Sequence, residues 1–225
     1  MQLLVLILAL TQAPAQVPAP APAGTAAEAP AGPFVALAIR QGQDQLGTIT
    51  IALRPDKAPI SVANFLQYLR EGHYDGTIFH RVMPGFMIQG GGFSPEMEER
   101  PQRAPIRNEA RNRLRNELGA VSMARTSDPN SATDQFFINV RTNHNLDFGI
   151  AGMGYAVFGQ VLDGMDVVAL ISQTPTTRRG EHENTPQMPV VIVKAYEVDA
   201  PPPPEPEPAP APAKAEAPAP AGTTP

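Results

Sequence analysis

Arg81 and Gln89 sit inside an otherwise apolar run, Phe79-His80-Arg81-Val82-Met83-Pro84-Gly85-Phe86-Met87-Ile88-Gln89-Gly90-Gly91. Phe79, Val82, Phe86, Met87 and Ile88 favour burial, whereas a guanidinium and an amide leave water at a cost unless something uses their donors. Arginine keeps its proton near neutral pH and holds its donors in a flat fork. The chemistry on offer is therefore hydrogen-bond donation from a directed cation beside apolar walls. Pro84-Gly85 is a turn signal. The run reads as two short strands, with Arg81 and Gln89 projecting from the same walls as Phe86 and Met87. An apolar pocket with a few convergent polar groups is the usual form of a binding site. The competing reading is a buried hairpin whose arginine stem lies on apolar surface while its head reaches water.

Other chemistries find little support. His80 has no nucleophile at recognisable spacing, and no Gly-x-Ser-x-Gly elbow occurs, so it reads as a packed or hydrogen-bonded histidine. His73, His144 and His182 show no metal-ligand spacing, and no metal or cofactor is expected. The chain has no cysteine, which excludes a disulfide scaffold, thiolate catalysis and cysteine-ligated zinc. The net charge of −5 provides no basic field for nucleic acid. Arg100, Arg103, Arg107, Arg111, Arg113 and Arg115 are interleaved with Glu96, Glu98, Glu99, Glu109 and Glu117. Residues 94–118 therefore read as a long solvated loop, of a length that is more often functional than idle.

The elements that must position Arg81 and Gln89 lie between two proline-rich ends. Of the 27 prolines, six fall in residues 1–33 and eleven in residues 201–225, so residues 34–200 form an ordinary globular domain. Leu3–Leu10 is too short to span a bilayer and fits the core of an export signal, with Ala13-Pro14-Ala15 as a cleavage site, although no Lys or Arg precedes it. Residues 1–15 are thus expected to be a signal peptide, 16–33 an extended Pro/Ala-rich linker, and 201–225 a Pro/Ala/Glu-rich disordered tail. Within the domain, Phe34–Arg40 and Gly47–Leu53 read as strands around a turn. Val62, Phe65, Leu66 and Leu69 mark an amphipathic helix from Ile60 to Arg70, stopped by Gly72. Gly119–Met123, Asp134–Val140, Tyr155–Val161 and Pro189–Val198 read as strands, and Gly164–Ser172 as a short helix with Met165, Val168 and Ala169 on one face. Many strands, two helices and no βαβ alternation predict a mainly β fold, a closed antiparallel barrel capped by helices.

The order Phe79-His80-Arg81-Val82, Phe86-Met87-Ile88-Gln89-Gly90-Gly91, Ser122-Met123-Ala124-Arg125, Gln135-Phe136-Phe137-Ile138 and Val157-Phe158-Gly159 resembles the cyclophilin family of peptidyl-prolyl cis–trans isomerases over nearly all of residues 34–199. The Met-Ala-Arg-Thr block and Tyr155-Ala156-Val157-Phe158 resemble its bacterial branch, whose exported members sit in the periplasm. The resemblance implies eight strands in the barrel, no cofactor, and Pro-containing unfolded or partly folded polypeptides as partners. It also implies roles for individual residues. Arg81 would be the catalytic arginine. Phe86, Met87, Phe137 and Leu146 would wall the proline pocket. Gln89 and Gln135 would touch the substrate backbone, and Ala124 with the main chain of Arg125 would line the groove for the residue before proline. Tyr155 takes a place where many eukaryotic members carry histidine. Asn145 departs from the pattern, standing where drug-sensitive members carry tryptophan, which implies weak or no cyclosporin binding. The alternative function is a cyclophilin-like module that grips Pro-containing segments with little turnover. No stable membrane span and no assembly beyond a monomer are expected.

Overall fold

The computed structural model describes residues 32–150 and 152–199. The expected signal peptide, most of the linker and the tail lie outside the described residues. Among the described residues, no helix is long and apolar enough to cross a membrane.

Among the described residues, ten strands and two α-helices follow one another in the order β1 (Phe34–Gln41), β2 (Asp44–Leu53), α1 (Pro59–Arg70), β3 (Arg81–Met83), β4 (Met87–Gly90), β5 (Ala120–Met123), β6 (Phe136–Asn139), β7 (Val157–Asp163), α2 (Met165–Ser172), β8 (Thr176–Arg179), β9 (His182–Pro186) and β10 (Val190–Val198). Eight strands form one antiparallel sheet in the order β10-β1-β2-β7-β5-β6-β4-β3. The eight strands and two helices match the expectation, but closure is weaker than expected, so the sheet is a half-barrel. No ladder joins β3 to β10. The seam holds one isolated bridge, Ile78 to Val191, with the Phe79 N–H donating to Val190 O at 2.9 Å and the Ile192 N–H to Thr77 O at 2.8 Å. The reason is local. The Pro84-Gly85 turn ends β3 after three residues, too few to pair along nine-residue β10.

Helix α1 begins with Pro59, whose missing N–H is no loss in a first turn. Val62, Phe65, Leu66 and Leu69 point into the core as their spacing predicts. Phe65 stacks on Tyr74 at 4.9 Å and meets Phe136 edge-on at 5.5 Å, so the helix plugs the barrel with aromatic rings. At its far end Gly72 takes φ +69° and the His73 N–H donates to Tyr68 O at 3.0 Å, a left-handed terminator open to glycine.

Three features differ from expectation. In α2, Val167, Val168 and Ile171 are buried, whereas Met165 is half-buried and Ala169 exposed. A helix apolar nearly all round does not declare its inner face. The 94–118 segment contains a 3-10 turn at Ala110–Asn112, and Glu109 beside it is not merely a solvated charge. Its carboxylate accepts the Ile60 and Ser61 N–H groups at 3.1 and 2.7 Å and the Ser61 hydroxyl at 2.7 Å, capping α1 from 48 residues away. Finally, β8 and β9 form a separate two-stranded hairpin. Its polar sequence carries no apolar alternation to announce it.

Candidate active site on the outer face of the sheet

Strand alternation decides which way the central run faces. Val82, Ile88, Phe136 and Ile138 are fully buried in the barrel core. Their neighbours Arg81, Met87, Gln89 and Phe137 therefore project from the opposite, outer face. Arg81 pairs with Gln89 across β3 and β4, and Gln89 with Phe137 across β4 and β6, which aligns the three side chains across the sheet. Between the strands, Gly85 takes φ +65° and the Phe86 N–H donates to Met83 O at 3.0 Å. Pro then Gly at the centre of such a turn is the type II pattern, and it sets Phe86 at the head of β4.

Loops from three other places complete a cavity of about 330 Å³. Its walls are Arg81, Phe86, Met87, Gln89, Ala124, Arg125, Phe137, Leu146 and Tyr155. Nine of the ten residues singled out in the sequence thus share one cavity. Gln135 lies outside its wall but is tied to it, because the Gln89 Nε2 donates to Gln135 Oε1 at 2.9 Å. Gly92 makes room for that link, since a Cβ there would come within 2.6 Å of the Gln135 side chain. On the other side of Gln89, Arg81 Nη1 donates to Gln89 Oε1 at 3.3 Å. The two amides thus form a chain that orients the guanidinium at the rim. At the opposite rim the Arg125 guanidinium lies 4.4 Å over the Tyr155 ring, and Tyr155 meets Phe137 edge-on at 5.6 Å. Asn145 is exposed and is not among the walls.

This geometry can hold a compact apolar ring among Phe86, Met87, Phe137 and Leu146 with a cation directed at its edge. Residues 36–197 match the family model described as "Cyclophilin type peptidyl-prolyl cis-trans isomerase/CLD". The chain belongs to the cyclophilin-type peptidyl-prolyl cis-trans isomerase family. Peptidyl-prolyl cis-trans isomerase A of Dickeya dadantii (strain 3937) is 54% identical over 149 residues, 66% of this chain and 78% of that protein. Peptidyl-prolyl cis-trans isomerase B of Escherichia coli (strain K12) is 53% identical over 149 residues, 65% of this chain and 91% of that protein. Both relatives are bacterial, as the Met-Ala-Arg-Thr block suggests. A crystal structure of a cyclophilin type isomerase from Cryptosporidium parvum superposes with a TM-score of 0.61 at 24% identity, covering 75% of this chain and 99% of that one. The chain is a peptidyl-prolyl cis-trans isomerase.

Beneath the cyclophilin cavity runs a buried polar network that sequence reasoning missed. Asn143 Nδ2 donates to Phe86 O at 2.8 Å and to Asn139 Oδ1 at 2.8 Å. Asn139 Nδ2 reaches Asn116 Oδ1 at 3.3 Å, and Ser122 Oγ donates to the same oxygen at 2.8 Å. Asp147 accepts the Asn116 N–H at 2.7 Å. The network fixes the backbone of Phe86 and the 3-10 turn His144–Leu146, hence two walls of the pocket. The one signal in the sequence is Asn139 directly after the apolar Phe136-Phe137-Ile138, since a buried amide needs partners.

His80 is packed, as expected. It is buried against Phe93 at 4.6 Å, and its Nδ1 has no hydrogen-bond partner. Burial, reinforced by His182 and Arg81, pushes its pKa down to about 3. A histidine held neutral in this way does not carry protons for turnover near neutral pH. Among the described residues, no group of three or more His, Asp or Glu could hold a metal ion.

Proposed function

We propose that Arg81 accelerates rotation about X–Pro bonds by hydrogen bonding to the twisted amide. Partial double-bond character sets a barrier of about 18–20 kcal/mol. At the top of that barrier the prolyl nitrogen has lost its conjugation and becomes a better hydrogen-bond acceptor. A guanidinium aimed at that nitrogen stabilises the twisted state more than either planar state, which is the kind of binding that raises kcat. The observation that carries this reading is the position of Arg81, held by Gln89 at the edge of an apolar cavity.

Phe86, Met87, Phe137 and Leu146 grip the proline ring while the chain beside it turns. They also exclude water, which strengthens the arginine's field. Gln89 orients Arg81 through its oxygen and Gln135 through its amide, and Gln135 keeps its own amide N–H groups for substrate backbone. Ala124, Arg125 and Tyr155 line the neighbouring groove. No bond forms or breaks, so the residues of the cavity suffice.

The clients of this reading are Pro-containing segments of folding proteins. Export rests on residues 1–15 alone, with the periplasm as destination, and the exposed position of Asn145 leaves cyclosporin without a broad rim to rest on. The test is catalysed isomerisation of a short Ala-Pro peptide by the whole protein beside Arg81→Ala. Acceleration lost in the variant supports the reading. Equal acceleration by both proteins would remove Arg81 from the mechanism.

A further inference from the structure

The charge inventory of the cavity is one-sided. Two of its walls are guanidiniums, Arg81 and Arg125, and none is a carboxylate. They stand at opposite rims. Arg81 lies on β3 and Arg125 follows β5, with β4 and β6 between them in the sheet. Three strand spacings separate β3 from β5 by about 14 Å. A proline ring seated on Phe137 therefore has one guanidinium on each side.

The two cations are held differently. Arg81 is oriented by one side-chain amide and serves the rotating bond. Arg125 is fixed at three points: its Nε donates to Gly154 O at 3.0 Å, its Nη1 to Thr126 O at 2.8 Å, and its plane rests on the Tyr155 ring. Among the described residues no carboxylate pairs with it, and its Nη2 has no protein partner. The side chain is half-buried, so its charge is less screened than that of a free surface arginine. An arginine whose fork is already immobilised loses little entropy when an anion arrives. Arg125 is thus a preset anion contact on the wall of the pocket that takes the proline, within reach of a residue next to it in the chain.

We infer that Arg125 makes this enzyme selective for proline bonds flanked by an acidic residue, Asp or Glu, whose carboxylate meets its guanidinium at the cavity rim. A lysine at the same place meets a like charge. The inference rests on proline occupying the cavity as described under the proposed function.

The test compares kcat/KM of the whole protein on short peptides carrying Glu, Gln, Ala or Lys next to proline, placed before it in one series and after it in a second. In one of the two series the glutamate peptide is expected to exceed the lysine peptide by about tenfold at low salt, the gap shrinking in about 1 M salt. Arg125→Gln should bring that ratio near one, and Arg125→Glu should invert it. Arg125→Lys should retain part of it, because charge survives and the fork does not. Equal turnover of glutamate and lysine peptides in both series, or a ratio unmoved by Arg125→Gln and Arg125→Glu, overturns the inference. Failure to accelerate even the alanine peptide would strike the Arg81 mechanism instead. The same glutamate-to-lysine ratio, read as peptide affinity by calorimetry, would then decide the role of Arg125.

Discussion

Arg81 on β3 stands directly opposite Gln89 on β4, and its guanidinium donates to the Gln89 side-chain oxygen at 3.3 Å. Because Gln89 is itself tied to Gln135, the cation at the rim is oriented from behind by two amides. Arg81→Ala should lower kcat/KM on an Ala-Pro peptide by about a hundredfold or more, the scale of losing one preorganised donor. Arg81→Lys should restore little, because an ammonium lacks the fork. The residue is exposed, so circular dichroism melting should match the wild type within about 2 °C.

Asn143 links the Phe86 carbonyl to Asn139 beneath the pocket. Asn143→Ala leaves both groups short of a partner. It should destabilise the fold by about 1–3 kcal/mol in denaturant titration. Stopped-flow isomerisation should show a raised KM, since Phe86 and Leu146 lose their anchor.

Glu109 caps α1 from a distant loop. Glu109→Ala is expected to cost about 1–2 kcal/mol, the range of a lost helix cap. For a domain of this size that is a fall of roughly 2–8 °C in melting temperature. Turnover measured well below the melting range should be unaffected, because Glu109 is not among the cavity walls.

His80 remains neutral in the fold down to about pH 3. In the unfolded chain an ordinary histidine takes up a proton below about pH 6.5. Below that pH the unfolded state binds the extra proton, so its contribution to stability is full above pH 6.5 and is lost as pH falls towards 3. The slope is at most about 1.4 kcal/mol per pH unit. Unfolding titrations at pH 7, 5 and 4 should show wild type losing stability faster than His80→Gln. Parallel curves would mean that His80 protonates as readily in the fold as outside it.

Asn145→Trp should strengthen cyclosporin binding in a fluorescence titration by about tenfold, because a large ring at the exposed Asn145 would bury apolar surface beside Leu146. No gain would place the drug-contacting rim elsewhere.

Much of this protein was legible because its signals are local. Pro84-Gly85 declares its own turn, and Pro59, the Val62/Phe65/Leu66/Leu69 spacing and Gly72 declare α1 from end to end. Arg81 and Gln89 stand out because a cation and an amide inside an apolar run demand an explanation. The order of motifs was enough to indicate the family and the reaction.

Pairing across long separations was not legible. That Glu109 caps α1, that Asn116, Asn139, Asn143 and Asp147 meet beneath Phe86, and that Arg125 lies on Tyr155 all depend on which segments the sheet order brings together. The incomplete closure of the barrel is of the same kind, since it follows from the length of β3 against β10. Sequence by itself determined what each segment would be and which side chains carry chemistry, because backbone preference and apolar periodicity act over a few residues. Only the tertiary structure decided how those side chains face one another, because a hydrogen bond or a cation over a ring depends on distances that no sequence spacing encodes.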